Sequence, residues 1–227
     1  YDRPTMLFLG RPEIRAVRDL QGKNIAILSY GSAVDFATRQ ILRAHGLADK
    51  DYTLVPMGPE PQRILGLAKG LVHASLFNPD GAAIAESQVQ GLKLLASFGD
   101  LQRTPFSGFA ASARFVSANP ETVKKFLRAT VKAIVLTRDQ PQVAARVAEQ
   151  TLGMDGKAAL AAVRTIVTAI SVKDPGGFSE TGMGAWIADN AANAGRKIED
   201  VKISEIADLR LLREVQQELG IRCEGGY

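Results

Sequence analysis

The chain has 227 residues, with 28 lysine and arginine residues against 24 aspartate and glutamate residues and a formal net charge of +4. Hydrophobic residues make up 46% and charged residues 23%, which is typical of a folded globular protein and excludes a disordered one. Cys223 is the only cysteine, which excludes a disulfide scaffold and a zinc or iron–sulfur site built on cysteines.

Short apolar segments alternate with amphipathic segments over the first half of the chain. The pattern predicts strands at residues 5–9, 24–28, 52–55, 71–76, 92–96 and 108–113. It predicts helices at residues 32–45, 61–69 and 81–88. Strands and helices that alternate in this way predict βαβ units, a mainly parallel sheet and an α/β fold class.

The pattern becomes almost entirely helical after residue 115. Asn119, Pro120 and Glu121 supply a helix cap, a proline at the first position and an acid in the first turn. That helix is predicted to run to about residue 138, and further helices are predicted at residues 141–152, 157–170, 180–194 and 206–219.

Several classes of function lack support in the sequence. The basic residues are spread along the chain instead of clustering, which predicts no nucleic-acid partner. No apolar run reaches the roughly 18 residues that a membrane span needs. The motifs of zinc proteases, P-loop nucleotide binding and dinucleotide binding are missing, and neither His45 nor His73 has motif spacing to a serine or an acid. We therefore predict no catalytic residue, no metal site and no cofactor.

The first candidate site is the segment at residues 29–35, where a predicted strand turns into a helix. The carboxyl edge of a parallel sheet is where α/β proteins bind ligands, and the start of a helix offers free N–H groups and a positive dipole end. Gly31 allows close approach of a ligand, and Ser29 and Ser32 supply hydroxyl groups, so the segment can hold an anion. The alternative is a plain capping box, in which Ser32 and Asp35 close the helix end and Asp35 repels anions.

Three other strand ends, the last of them at residues 97–100, are predicted to lie at the same edge. Asn78 offers a hydrogen-bond donor and acceptor and Phe77 a stacking face, although Asn78 and Pro79 also suit a simple turn. Met57 either lines an apolar pocket or fills the core.

Several segments resemble one family in their order and spacing. Residues 19–27, DLQGKNIAI, resemble the D-L-x-G-K-x-[IV] entry to the second lobe of substrate-binding proteins of ABC transporters, and residues 29–35 resemble the S-x-G-S-x-x-D turn that follows it. Residues 54–58, 70–74 and 119–129 are similar to that family's L-V-P-M/L-G, G-x-V-D-A and N-P-E-x-V-x-x-F-L-x-A segments, with His73 in place of the aspartate. The nearest group is the nitrate/sulfonate/taurine and thiamine-precursor (NMT1/THI5-like) branch of the type II periplasmic binding proteins.

The resemblance implies a protein of two lobes that closes on a small solute and delivers it to an ABC permease. It implies a crossover strand and a remnant of the first lobe at residues 1–14, a second lobe at 15–115, and a helical region at 116–227 that packs on the first lobe and the hinge. It also implies a periplasmic location, or an extracellular and membrane-anchored one, with the signal peptide expected to lie outside this sequence. We expect the ligand to be a small organic anion such as a sulfonate or a carboxylate.

The resemblance also implies roles for individual residues. Backbone N–H groups hold the acidic or polar head of the ligand, Asn78 and Phe77 supply a contact and a wall, and Phe8 and Gly10 lie near the crossover between lobes. The full predicted set is Phe8, Gly10, Ser29, Tyr30, Gly31, Ser32, Ala33, Met57, Phe77 and Asn78.

Family members carry a first-lobe segment before the crossover strand, and this sequence begins at that strand. The sequence is therefore expected to be a trimmed or a naturally short form, with exposed apolar surface that favours self-association or a partner in place of the lobe. The alternatives to a transport role are an enzyme on the same fold, similar to thiamine-pyrimidine synthesis or to a small-acid lyase, and a sensor or regulatory module.

Overall fold

The computed structural model of the protein describes residues 3–105, 107–191 and 195–222. Its strands are β1 (Leu7–Gly10), β2 (Asn24–Ile27), β3 (Thr53–Pro56), β4 (Ala74–Phe77) and β5 (Lys93–Ser97). Its α-helices are α1 (Ala33–Ala44), α2 (Glu60–Ala68), α3 (Pro79–Gln88), α4 (Phe98–Leu101), α5 (Ala113–Ala118), α6 (Pro120–Asp139), α7 (Pro141–Leu152), α8 (Gly156–Val167), α9 (Glu180–Asn190), α10 (Ile203–Ile206) and α11 (Arg210–Glu218). Short 3₁₀ helices lie at Val17–Leu20, Asp49–Asp51 and Ile198–Asp200.

The five strands form one sheet in the order β3-β2-β4-β1-β5. β2 pairs in parallel with β3 and with β4, whereas β1 runs antiparallel to both β4 and β5. The four other strands therefore share one direction, and the predicted α/β class with a mainly parallel sheet is confirmed. The antiparallel direction of β1 was not predicted.

The sheet belongs to a compact unit formed by Thr5–Gln102 and Ala144–Ile166. Its core includes Leu9, Ala26 and Phe77 from the strands, packed with residues of α2 and α3. All four residues of β4 are buried, as a strand covered on both faces requires. Burial of these apolar side chains is the main source of the unit's stability.

The second compact unit is helical and contains the described residues of 1–4, 103–143 and 167–227. In one cluster Val131 of α6 packs on Leu212 and Val215 of α11. A second cluster consists of Met183, Ile187 and Ala191. The predicted three-part division of the chain stays a prediction.

The sixth predicted strand, at residues 108–113, is wrong. Residues 107–112 have no regular secondary structure, and Phe109 is 73% exposed. A strand needs a neighbour for its N–H and C=O groups, and the five-stranded sheet supplies none for this segment. Ser112 instead caps α5, because its side chain accepts a hydrogen bond from the Phe115 N–H at 3.2 Å.

The predicted helices agree with the structure in position, with small differences at their ends. The helix at 141–152 matches α7, whereas the helix predicted at 206–219 begins later, at Arg210. Residues 192–194 of the helix predicted at 180–194 lie outside the described residues, and so does Cys223. Within the described part of the chain, no helix is both long and apolar enough to cross a membrane.

Candidate functional site

The candidate site lies at the carboxyl edge of three neighbouring parallel strands. β2 lies between β3 and β4, so the segment after Ile27 lies between those that follow Pro56 and Phe77. The β2–β3 pairing continues past the strands, since Met57 N–H donates to the Ile27 carbonyl at 2.9 Å and Gly58 N–H to the Leu28 carbonyl at 3.1 Å. The edge therefore brings residues 28–33, 57–59 and 78 into one region, as the sequence predicted.

The turn between β2 and α1 is held by its own hydrogen bonds. Ser32 is the N-cap of α1, and its hydroxyl accepts from the Asp35 N–H at 3.2 Å and donates to the Ser29 carbonyl at 2.7 Å. Gly31 has a φ of +76°, a conformation that side-chain-bearing residues rarely adopt, and no atom lies within 4 Å of the position of a Cβ there. Gly31 and Ala33 are both exposed, so the backbone at the start of α1 is accessible.

The Asp35 carboxylate closes part of this helix end. It accepts the Gly31 N–H at 2.8 Å, and the Asp35 side chain is only 9% exposed. The predicted capping by Ser32 and Asp35 is therefore confirmed, since both side chains accept backbone N–H groups at this helix end. The negative charge is balanced, because Arg39 Nε lies 2.7 Å from Asp35 Oδ1.

Tyr30 contributes its backbone to the edge, while its ring extends towards β3. The side chain is 62% exposed, and its hydroxyl donates to the Leu54 carbonyl at 3.0 Å. β3 is the outer strand of the sheet, so this bond satisfies a carbonyl group of an edge strand.

Glu60 was missed by the sequence analysis and joins two of the segments at the edge. It is the first residue of α2, and its Oε1 accepts the backbone N–H of Asn78, the N-cap of α3, at 3.0 Å. Burial raises the pKa of Glu60, and the charge of Asp80 raises it further, while the Asn78 N–H and Arg63 act in the opposite direction.

Arg63 lies directly beneath this contact and was also missed. Its side chain is 3% exposed, its Nε donates to the Gly58 carbonyl at 3.2 Å, and its Nη1 donates to Ser75 Oγ at 3.0 Å and to the Leu76 carbonyl. Its guanidinium carbon is 5.0 Å from the centre of the Phe77 ring, which is a cation–π distance. Burial lowers the pKa of Arg63, opposed by the Glu60 carboxylate, and the group stays charged at neutral pH.

The sequence did contain a signal for Arg63. It stands four residues before Leu67 and next to Ile64, two residues buried on the inner side of α2. An arginine within such an apolar stripe indicates a buried charge with a specific partner. No comparable signal existed for the pairing of Glu60 with Asn78, which are 18 residues apart.

Four of the predicted site residues either lie away from the edge or direct their side chains into the core. Phe8 and Phe77 are 0% exposed and lie in the core. Met57 begins at the edge, but its side chain packs into the core and against Gly66. Gly10 lies at the opposite end of the sheet, because it pairs with Ala74 and Lys93, the first residues of β4 and β5.

Six predicted residues remain together at the carboxyl edge: Ser29, Tyr30, Gly31, Ser32, Ala33 and Asn78. Their role as ligand contacts stays a prediction. Among the described residues, no group of three or more His, Cys, Asp or Glu side chains could hold a metal ion.

Comparison with known families identifies the chain. A family model described as NMT1/THI5 like matches residues 1–144, which is more than half of the chain and includes the whole sheet. The chain belongs to the NMT1/THI5-like family. The resemblance stated from the sequence motifs is thus confirmed.

Several solved structures share the fold of this NMT1/THI5-like chain. The periplasmic aliphatic sulphonate binding protein SsuA from Escherichia coli is 21% identical with a TM-score of 0.61, over 73% of this chain and 52% of its own. The alkanesulfonate-binding protein SsuA from Xanthomonas axonopodis pv. citri, bound to MOPS, is 22% identical with a TM-score of 0.57, over 72% of this chain and 57% of its own. A structure from Methylobacillus flagellatus KT is 16% identical with a TM-score of 0.65, over 98% of this chain and 70% of its own.

These similarities establish the fold of this NMT1/THI5-like chain. The chain spans a little more than half the length of the two SsuA proteins. Among curated proteins, none matches it significantly.

Proposed function

We propose that this NMT1/THI5-like chain binds a small solute at the carboxyl edge of β2, β3 and β4 and delivers it to an ABC importer. The observation that carries the proposal is the exposed Ala33 at the start of α1, in the middle of that edge, with open space beside it at Gly31. Membership of the family and the fold shared with binding proteins of importers support the same role.

The start of α1 suits the acidic group of a ligand. The first N–H groups of an α-helix have no partner within the helix, so those of Ala33 and Val34 point out of its amino-terminal end, where the helix dipole favours negative charge. Asp35 lies in the same first turn and would oppose an anion, but its ion pair with Arg39 offsets that charge.

We propose a small organic anion, a sulfonate or a carboxylate, as the ligand class. Both SsuA structures bear names that describe sulfonate binding, and one of them holds MOPS, itself a sulfonate. The ammonium of a cationic ligand would face the positive end of the helix, which is unfavourable.

We propose that the chain acts by binding and performs no chemistry on its ligand. Two of the acids at the edge, Asp35 and Glu60, already accept backbone N–H groups and are thereby committed to holding the fold. An enzyme on the same fold and a sensor module are the alternatives from the sequence.

The proposed setting is the periplasm, or the outer face of the membrane, with a permease as the protein partner. Closure of two lobes around the solute would signal occupancy to the permease. Self-association is a further predicted partnership, since aromatic residues such as Phe109 and Phe126 of the helical unit are 73% and 47% exposed and pack edge to face at 4.8 Å.

A charge placed at the start of α1 tests the proposed site. Ala33→Asp adds an acid at the first position of an exposed helix end, where it suits the helix dipole but repels an anion. Ala113→Asp is the matched control, because Ala113 is the exposed first residue of α5. Methanesulfonate should raise the melting temperature of the wild type and of the control, and Ala33→Asp should weaken binding by at least about tenfold.

Two results would count against the proposal. The first is the lack of any thermal shift with methanesulfonate and acetate in the wild type, together with native mass spectra that show no retained small molecule. The second is unchanged binding in Ala33→Asp, which would move the site away from α1.

A further inference from the structure

Glu60 places a carboxylate on the amino-terminal turn of α3, the helix that follows β4. Its Oε1 accepts the Asn78 N–H at 3.0 Å, and its side chain is 24% exposed. Gly81, the third residue of α3, approaches the same carboxylate so closely that a Cβ there would overlap it. The carboxylate of one helix thus occupies the position at which the next helix would bind an anion.

The two helix ends at the edge differ in their charge. At α1, the Asp35 carboxylate is paired with Arg39 at 2.7 Å. At α3, Arg63 is the one cation among the described residues that forms an ion pair with Glu60, and its Nη2 lies 3.7 Å from Glu60 Oε1. The Nε and Nη1 groups of Arg63 donate instead to carbonyl and hydroxyl oxygens. Asp80 adds a second acid in the first turn of α3.

A ligand anion would therefore meet two acids, Glu60 and Asp80, against one arginine at α3, whereas at α1 it would meet the Asp35–Arg39 ion pair. Like charges within about 4 Å repel each other by an amount that changes binding constants tenfold or more where water is partly excluded. The Asn78 side chain remains exposed beside this closed helix end, so hydrogen bonding is still possible there.

We propose that Glu60 is a positioning residue that sets the specificity of the site. It fixes Asn78 through the backbone and fills the anion position of α3, so the edge accepts a ligand with one acidic group, bound at α1. The part of the ligand that reaches α3 is uncharged and forms hydrogen bonds. This inference rests on the proposed function only for the part that concerns α1.

The experiment maps anion binding residue by residue. Amide resonances of the ¹⁵N-labelled chain are followed during titration with methanesulfonate in the wild type, Glu60→Gln and Glu60→Ala. In the wild type, the amides of Ala33 and Val34 should move while those of Asp80 and Gly81 do not. In Glu60→Ala, the Asp80 and Gly81 amides should also respond, with apparent affinity at α3 at least about tenfold higher than in the wild type.

A matched control and a second background make the test specific. Glu86→Ala removes an exposed carboxylate from the same helix and should leave α3 unresponsive. Because Asp80 remains in every single variant, Glu60→Ala is also combined with Asp80→Asn, which should strengthen the response at α3 further. Glu60→Gln keeps an oxygen that can accept from Asn78, so it should preserve the Asn78 amide position better than Glu60→Ala does.

The outcomes separate this inference from the proposed function. A response at α3 in the Glu60 variants without any response at α1 would support the role of Glu60 and overturn the proposed site. No response at α3 in any Glu60 variant would overturn the inference, even if α1 binds as expected. An Asn78 amide that stays unchanged between wild type and Glu60→Ala, both folded, would also overturn it, because the positioning contact would then be missing.

Discussion

Removal of the buried guanidinium of Arg63 gives the sharpest test of how the candidate site is supported. Arg63→Met keeps much of the apolar stem and deletes the charge and the donors. The Gly58 and Leu76 carbonyls and Ser75 Oγ then each lose a donor, and Phe77 loses its cation. The Glu60 carboxylate loses the cation 3.7 Å away.

The expected cost follows from these contacts. A buried acceptor left without a partner costs about 1–3 kcal/mol, and breaking a buried charge pair by removing one side costs about 3–5 kcal/mol. The desolvation cost of Arg63 is recovered when the charge is deleted, so these losses do not add in full. We expect the free energy of unfolding to fall by about 3–5 kcal/mol.

Urea unfolding followed by far-ultraviolet circular dichroism measures this change. With a slope of about 2 kcal/mol per M, the transition midpoint should fall by about 2 M. Arg43→Met is the matched control, because Arg43 is 56% exposed and pairs with Asp49 on the surface, where such a pair contributes about 0–1 kcal/mol. If the two variants lose the same stability within about 1 kcal/mol, the assignment of Arg63 as a buried support is refuted.

Three further predictions concern the edge and the helical unit. Burial raises the pKa of Glu60 above its ordinary 4.5, so the folded state binds more protons than the unfolded chain; the free energy of unfolding should fall as pH rises above 4.5, and urea midpoints of Glu60→Gln should lack this part of the slope. Gly31 and Gly22 have φ values of +76° and +72° with open space at both Cβ positions, so Gly31→Ala and Gly22→Ala should each lower the free energy of unfolding by about 1–2 kcal/mol. Only Gly31→Ala should also weaken methanesulfonate binding, and equal binding by the two variants would contradict the site. Asp174→Ala removes two hydrogen bonds from Arg213, at 2.5 and 2.9 Å, and should lower the free energy of unfolding by about 2–4 kcal/mol. Urea unfolding followed by the fluorescence of the single tryptophan measures this change, and an unchanged midpoint would show that the pair adds nothing to stability.

The acidic groups at the edge explain why local sequence patterns could not decide between ligand binding and capping. The spacing of Ser32 and Asp35 is that of a cap, and the structure shows the cap. Whether the helix end also accepts an anion depends on the charge around Asp35, and Arg39 supplies the balancing charge one turn later. Capping of α1 and binding of an anion at its start are therefore compatible in the same turn.

The sequence by itself determined the eight longer helices of the described residues, the mainly parallel class of the sheet and the edge that carries the candidate site. These features follow from local periodicity, caps and the alternation of strands with helices, so residues near one another in sequence suffice to specify them. The helix at Pro141–Leu152 and the cap at Ser32 are examples.

Only the tertiary structure decided that β1 runs antiparallel, that residues 108–113 have no neighbouring strand, and which groups Glu60 and Arg63 contact. Each depends on groups that are distant in sequence: β1 pairs with β4 and β5, and Glu60 meets Asn78 across 18 positions. A strand forms only where another strand supplies hydrogen bonds, and a buried charge persists only where partners surround it. Such partners are present only in the folded chain, which is why local patterns could not predict them.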